Sequence, residues 1–159
     1  MSEDILDKAY PSNVNVEIGK FSVVVSDTSV NSNGFALPGG ANAGSLLGVI
    51  QESLLPDNVA DYSGGVYNIV SGTAWPSNAV PASGLNLGRR VRRIGISRCV
   101  AASAIPRGAR VNVNDSQGRI KAINETAGTL VHELGIAEEA AVQVGDVIRV
   151  MITLIDRHT

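Results

Sequence analysis

The chain has little of what disulfide-built and catalytic proteins rely on. Cysteine occurs once, histidine twice and tryptophan once, and aromatic residues make up 4% of the 159 residues. A lone cysteine excludes an internal disulfide framework, and the setting of Cys99 beside Val100 and Ala101 marks it as a small buried residue rather than a reactive thiol. No apolar run approaches the ~18 residues that a membrane-spanning helix needs. The start, Met1-Ser2-Glu3-Asp4, is acidic and lacks the basic-then-apolar order of a secretory signal, so the expectation is a soluble protein made in a cytoplasm. A formal net charge of −2 supplies no global field toward nucleic acid or an anionic membrane, and neither is expected as a partner.

What is present is 44% hydrophobic residue, mostly Val, Ile, Leu and Ala, punctuated by 17 Gly and 6 Pro. That mixture favours short strands and many turns over long helices. The clearest unit runs from Pro106 to Leu154. Val111 and Val113 alternate with Arg110 and Asn112, the turn-rich Asn114-Asp115-Ser116-Gln117-Gly118 follows, and Ile148, Val150, Ile152 and Leu154 alternate with Arg149 and Thr153. Phe21 to Val25 and Val66 to Val70 read as further strands, with loops over 27–34, 38–44 and 72–88. Residues 1–17 show no period and read as an extended N-terminal arm. The remainder, 18–159, reads as a single all-β domain of small β-barrel or β-tulip-like form.

A weak internal repeat relates 21–75 to 109–154. Val23-Val24-Val25-Ser26-Asp27 parallels Val111-Asn112-Val113-Asn114-Asp115, Ala43-Gly44-Ser45-Leu46-Leu47-Gly48-Val49-Ile50-Gln51-Glu52 parallels Ala127-Gly128-Thr129-Leu130 through Gly135-Ile136-Ala137-Glu138, and Gly65-Val66 to Val70 parallels Gly145-Asp146 to Val150. Recurring glycines fit places where a strand bends or another backbone comes close.

Motifs for chemistry are incomplete. His132-Glu133-Leu134-Gly135-Ile136 begins like a zinc-protease helix, but isoleucine stands where the second histidine belongs, and no metal is expected. Gly39 and Gly44 have phosphate-loop spacing, with Ser45 in place of the lysine, and no cofactor is expected. A Ser-His-Asp triad would have to rest on His132, and no nucleophile elbow accompanies it, so no catalytic residue is assigned and no enzymatic activity is expected. The pairs Glu138/Glu139 and Asp57/Asp61 read as solvated surface charge, and the sequon Asn124-Glu125-Thr126 has no meaning without secretion. The arginine run Arg89, Arg90, Arg92 and Arg93, with Arg98 nearby, reads either as a partner-binding stripe or as charges that guard a sheet edge against pairing. Base-stacking aromatics are missing around it.

Gly108-Ala109-Arg110-Val111, Asp115-Ser116-Gln117-Gly118-Arg119-Ile120-Lys121-Ala122, Gly135-Ile136-Ala137-Glu138 and Gly145-Asp146-Val147-Ile148-Arg149-Val150, in that order, resemble the small capsid decoration, or cement, proteins of tailed bacteriophages. Gly65 to Trp75, with Gly72-Thr73-Ala74, is similar to an earlier strand of that family. The resemblance implies an all-β barrel or tulip that assembles as a homotrimer on the capsid exterior, bound to the major capsid protein and stabilising the shell, without enzymatic activity. It leaves the first 40 residues and 76–88 unaccounted for. A sugar- or ligand-binding β module of a phage tail or fibre is the alternative, and an enzyme with a site assembled between subunits is a third reading.

A cement role needs adhesive positions. The scarce aromatics Tyr62, Tyr67 and Trp75 are candidate anchors at a subunit or shell contact, beside ordinary core packing. In the arm, Ile5, Leu6, Val14 and Val16 are the apolar residues that could order on a neighbouring subunit by strand addition. On that reading, removal of the arm spares folding.

Overall fold

Short alternating runs separated by Gly, Asn and Asp give eleven strands in the computed structural model, which describes residues 6–14, 18–52, 58–63, 66–71 and 88–158. They are β1 (Leu6–Pro11), β2 (Val23–Asp27), β3 (Gly34–Ala36), β4 (Leu46–Ile50), β5 (Asn58–Ser63), β6 (Val66–Ser71), β7 (Gly88–Val100), β8 (Arg110–Val113), β9 (Ile120–Ala122), β10 (Leu130–Ala137) and β11 (Val147–His158). Among the described residues there is no helix, and the fold is all-β and barrel-like. The main sheet runs β3-β2-β4-β7-β11-β10-β8-β9 with β1 added on β7, every named pairing being antiparallel, while β5 and β6 form a separate hairpin.

The strand order conceals a duplication. One unit comprises β1, β2, β3, β4 and residues 88–94 of β7; the other comprises residues 95–100 of β7, then β8, β9, β10 and the first half of β11. The ladders agree pair for pair. Val23↔Val49, Val24↔Gly48 and Val25↔Leu46 match Arg110↔Ile136, Val111↔Gly135 and Asn112↔Glu133, including the register slip. Val49↔Arg92 and Ile50↔Val91 match Ile136↔Met151 and Ala137↔Val150. Lys8↔Val91, Ala9↔Arg90 and Tyr10↔Arg89 match Ser97↔Val150, Arg98↔Arg149 and Cys99↔Ile148. Each unit curls until the residue after its first strand meets its third strand through a parallel bridge, Ser12↔Phe35 in one and Ala101↔Ile120 in the other. Loop hydrogen bonds repeat as well: Phe21 N–H to Ile50 O (3.0 Å) with Gly108 N–H to Ala137 O (2.7 Å), and Gln51 N–H to Arg90 O (2.9 Å) with Glu138 N–H to Arg149 O (2.8 Å).

The cores follow the same correspondence. Tyr10, Ile18, Val24, Phe35, Leu47, Ile50 and Val91 form the smaller cluster, and Cys99, Ile105, Val111, Ile120, Leu134, Ala137 and Val150 occupy the corresponding places in the larger one. The larger cluster also takes Val23 and Val49 from the first unit, with Phe21 and Leu46 packed beside them, so one face of the first unit is covered by the second. Val23 N–H donates to Gly118 O in the β8–β9 turn (2.8 Å), and Asn42 N–H donates to Val113 O (2.9 Å).

Two glycines explain why the pattern needs them. A side chain at Gly48 would collide with the carbonyl of Arg92, and one at Gly135 with the carbonyl of Met151, because each glycine sits where its strand is crossed closely by the unit's last strand. Gly95, with φ of +96°, lies where β7 leaves β1 and begins its pairing with β11.

Several expectations change. The match of 48–51 to 135–138 stands in the backbone, but Leu46 takes the place of Glu133 rather than of Leu130, and the first pairing is one residue out, since Val24 rather than Val23 corresponds to Val111. The counterpart of 146–150 is the start of β7, not β6. Residues 6–14, read as an arm without periodicity, are built into the first unit: Leu6–Pro11 pair with β7, Tyr10 and Ser12 are buried, and Val14 packs on the smaller cluster. β7 is flanked by β1, β4 and β11, so its arginines do not guard a sheet edge.

Candidate interaction surface

The arginines of β7 are mostly engaged within the first unit. Arg92 holds Asp7 with both prongs, Nε to Oδ1 at 2.8 Å and Nη2 to Oδ2 at 2.9 Å, and its Nη1 donates to Ile96 O at 2.7 Å. This fork ties β1 to β7 and holds the Asp7 carboxyl below its ordinary range, the Arg92 hydrogen bond outweighing partial burial. Arg93 Nη1 donates to the Tyr10 hydroxyl at 3.2 Å. Arg90 Nε pairs with Glu52 Oε1 at 2.9 Å, and Arg149 Nε repeats that contact on Glu139 Oε1 at 2.8 Å in the second unit. Arg89 is half-buried and donates from Nη1 to Gly88 O, and Arg98 is exposed.

The two units differ in chemistry at the outward cross-strand pair that holds Arg92. Where the first has Asp7 opposite Arg92, the second has Ile96 opposite Met151, and Met151 is also opposite Ile136. Antiparallel partners share a face, so Ile96, Met151 and Ile136 make an apolar row across β7, β11 and β10, ending at Arg110 opposite Ile136 on β8. Met151 is 43% exposed and Arg110 is exposed, while Ile96 and Ile136 are half-buried. Leu6 and Ile94, opposite one another, add a second exposed apolar pair. A third lies in the loop before β11, where Val142 is 82% exposed and the Asp146 carboxylate fixes the backbone by accepting from Val142 N–H (2.7 Å) and Gln143 N–H (3.0 Å). Those two bonds hold the Asp146 carboxyl below its usual range.

His132 has a carboxylate that its sequence neighbours do not reveal. Its Nδ1 lies 2.7 Å from Asp156 Oδ1, its N–H donates to Asn42 Oδ1 at 2.9 Å, and Asn42 Nδ2 donates to Leu130 O at 2.8 Å. The arrangement fastens the β3–β4 loop to β10 and β11. Ser45, Leu46, Glu133, Leu154 and Asp156 line a small cleft of about 160 Å³ next to it. Glu133 is buried, and burial pushes its carboxyl up against the pull of Arg110; the guanidinium of Arg157, 2.8 Å from Oε2, is its ion-pair partner. Across the second unit, Glu125 is brought down to about 2: partial burial raises it, and hydrogen bonds from Lys121 and Asn112 more than reverse that. Burial raises the Cys99 thiol far above its ordinary value, as an inert core residue requires.

Of the residues chosen from sequence, the structure brings Leu6, Arg89, Arg90 and Arg92 onto the β1–β7 ladder, leaves Arg93 at its register shift, and places Val14 against the core. Tyr62 and Tyr67 stand opposite each other in the β5–β6 hairpin. Ile5, Val16 and Trp75 lie outside the described residues. Sequence reasoning missed Asp7, Tyr10, Asn13 and the Ile96-Met151-Ile136 row. The signal available was the alternation of β11, in which Met151 falls on the outward side.

No family model and no curated protein matches the chain. Among solved structures it is similar to the head fiber gp8.5 N base of bacteriophage phi29, with a TM-score of 0.52 and 9% identity over 93% of this chain and 95% of that one. At that identity, what the two chains share is the fold.

Proposed function

We propose that this chain is a structural protein of a phage virion which binds the outer surface of the capsid as a homotrimer and stabilises the shell. The observation that carries the reading is the fold shared, over nearly the full length of both chains, with the base of a phage head fiber. The C-terminal motif order points the same way, and the molecule offers what an adhesive structural part needs: a rigid curled sheet and apolar residues displayed on strands and on a pinned loop. The partner in this reading is the major capsid protein. Light scattering on a size-exclusion column tests the trimer, and co-sedimentation with capsids lacking this protein tests attachment. A monomeric mass at micromolar concentration together with no co-sedimentation defeats the proposal.

A second reading, a ligand-binding β module of a tail or fibre, is favoured by one feature. An open cleft of about 340 Å³ between the units is lined by apolar Ile18 and Leu37 and by polar Lys20, Ser22, Gln117 and Arg119. Titration with a panel of mono- and oligosaccharides, read by protection of the surrounding amides, separates it from the first.

A further inference from the structure

The duplication makes a statement about an exposed surface. In the first unit, Val23 and Val49 lie on the face that the second unit covers, and both are fully buried. Their counterparts in the second unit are Arg110 and Ile136, and the counterpart of the neighbouring Arg92 is Met151. The same face, built on the same backbone register, is therefore used internally in one unit and left open in the other. Its composition is that of a contact rather than of a solvated sheet: Ile136 and Met151 continue to Ile96, which stands where the first unit has Asp7.

The internal contact also shows which element can cover such a face. The β8–β9 turn is part of that cover, seated against Val23 through Gly118, beside the core side chains of the second unit. The first unit's equivalent element is the β2–β3 turn, in which Asn31 O accepts from Gly34 N–H at 3.1 Å as Asp115 O accepts from Gly118 N–H at 3.1 Å. At the tip of that turn Val30 is 55% exposed, and the turn carries one charge, Asp27, opposite in sign to Arg110 on the open face.

We infer that the Ile96-Met151-Ile136 face of one copy receives the β2–β3 turn of a second copy of this chain, repeating between molecules the contact made between the units within one. The two surfaces are different, so the contact is head-to-tail; such contacts build rings when the rotation closes and filaments when it does not. The inference deepens the trimer reading by naming the two surfaces that meet, and it rests on that reading for closure at three.

The test uses the full chain. Met151→Lys and, independently, Ile136→Lys should reduce the oligomer to a monomer by light scattering, with a melting profile that retains a single transition. Val30→Asp should do the same from the other side. Val30→Cys and Met151→Cys, made as separate proteins and mixed under mild oxidation, should give a mixed disulfide dimer, since the native Cys99 is buried. A trimeric wild type whose mass survives all three charge substitutions, and whose cysteine variants do not cross-link when mixed, overturns the inference and leaves the trimer standing. A monomeric wild type overturns both. If both lysine variants fail to fold, the cross-link between the folded cysteine variants decides.

Discussion

Asn13 gives a sharp test of how the first unit is held together. Its side chain is almost fully buried and fills the β2–β3 turn, donating from Nδ2 to Asp27 O (2.8 Å), Asp27 Oδ1 (2.8 Å) and Asn31 O (3.0 Å), while its Oδ1 accepts from Asn31 N–H (3.0 Å) and Asn31 Nδ2 (2.8 Å). Gly34 leaves room for it, since any side chain there would overlap the amide. Asn13→Ala removes both donors and the acceptor at once. Asp27 Oδ1 retains Ser29 as a donor and Asn31 O retains Gly34 N–H, so the groups left stranded are chiefly Asp27 O and Asn31 N–H. At about 1–3 kcal/mol for each stranded polar group, discounted because the turn lies near water, the cost is about 3 kcal/mol. For a chain of this length, 1 kcal/mol moves the melting temperature by about 2–4 °C, so the expected fall is about 6–12 °C by circular dichroism. Asn13→Asp should be worse, because a carboxylate would face Asp27. A change below about 2 °C for Asn13→Ala would show that the network contributes nothing and that 6–14 is after all a dispensable arm. By the same reasoning a chain beginning at Glu17, which lacks Tyr10, Ser12 and Asn13, should lose stability rather than only attachment.

Four further outcomes are expected. Gly48→Ala and Gly135→Ala, at equivalent positions against backbone carbonyls, should each lower the urea midpoint severely, while Gly39→Ala, with open space around it, should leave it unchanged. The double change Asp7→Ile with Arg92→Met gives the first unit the apolar pair of the second; replacing a forked ion pair by packed apolar groups should be neutral or stabilising in a thermal melt, whereas Arg92→Ala alone should destabilise and speed amide exchange in β1. Glu125 is held near 2 in the folded chain, below its unfolded value of about 4.3, so its contribution is present above that value and is lost as pH falls toward 2; Glu125→Gln should flatten the stability curve across that window in urea titrations at stepped pH. His132→Ala should keep the Asn42 contact, which uses the backbone N–H, and cost only the Asp156 bond, leaving capsid co-sedimentation intact.

Much of the second unit was legible because its strands alternate cleanly and its turn announces itself in Asn114 to Gly118. The first unit was harder for a definite reason. Residues 53–87, including β5 and β6, intervene between β4 and β7, whereas only a short loop separates β10 from β11, and an alignment by sequence attaches β11 to the first strand it meets, 66–70. β1 was invisible because only Tyr10 among its side chains is buried and its specificity comes from Arg92, far along the chain. The arginines of β7 looked like an edge because their partners, Asp7 and Glu52, cannot be paired with them by spacing. The open face escaped notice because its three members come from three strands, and no single stretch of sequence shows them together.

The shared strand has a calorimetric consequence. Residues 88–94 of β7 complete the first unit and 95–100 begin the second, with no linker between them. Melting either unit strips half of that strand of its pairings and exposes Val23 and Val49. The two halves of the duplication are therefore denied separate transitions, and the chain should melt in one step, as a protein with no internal repeat would.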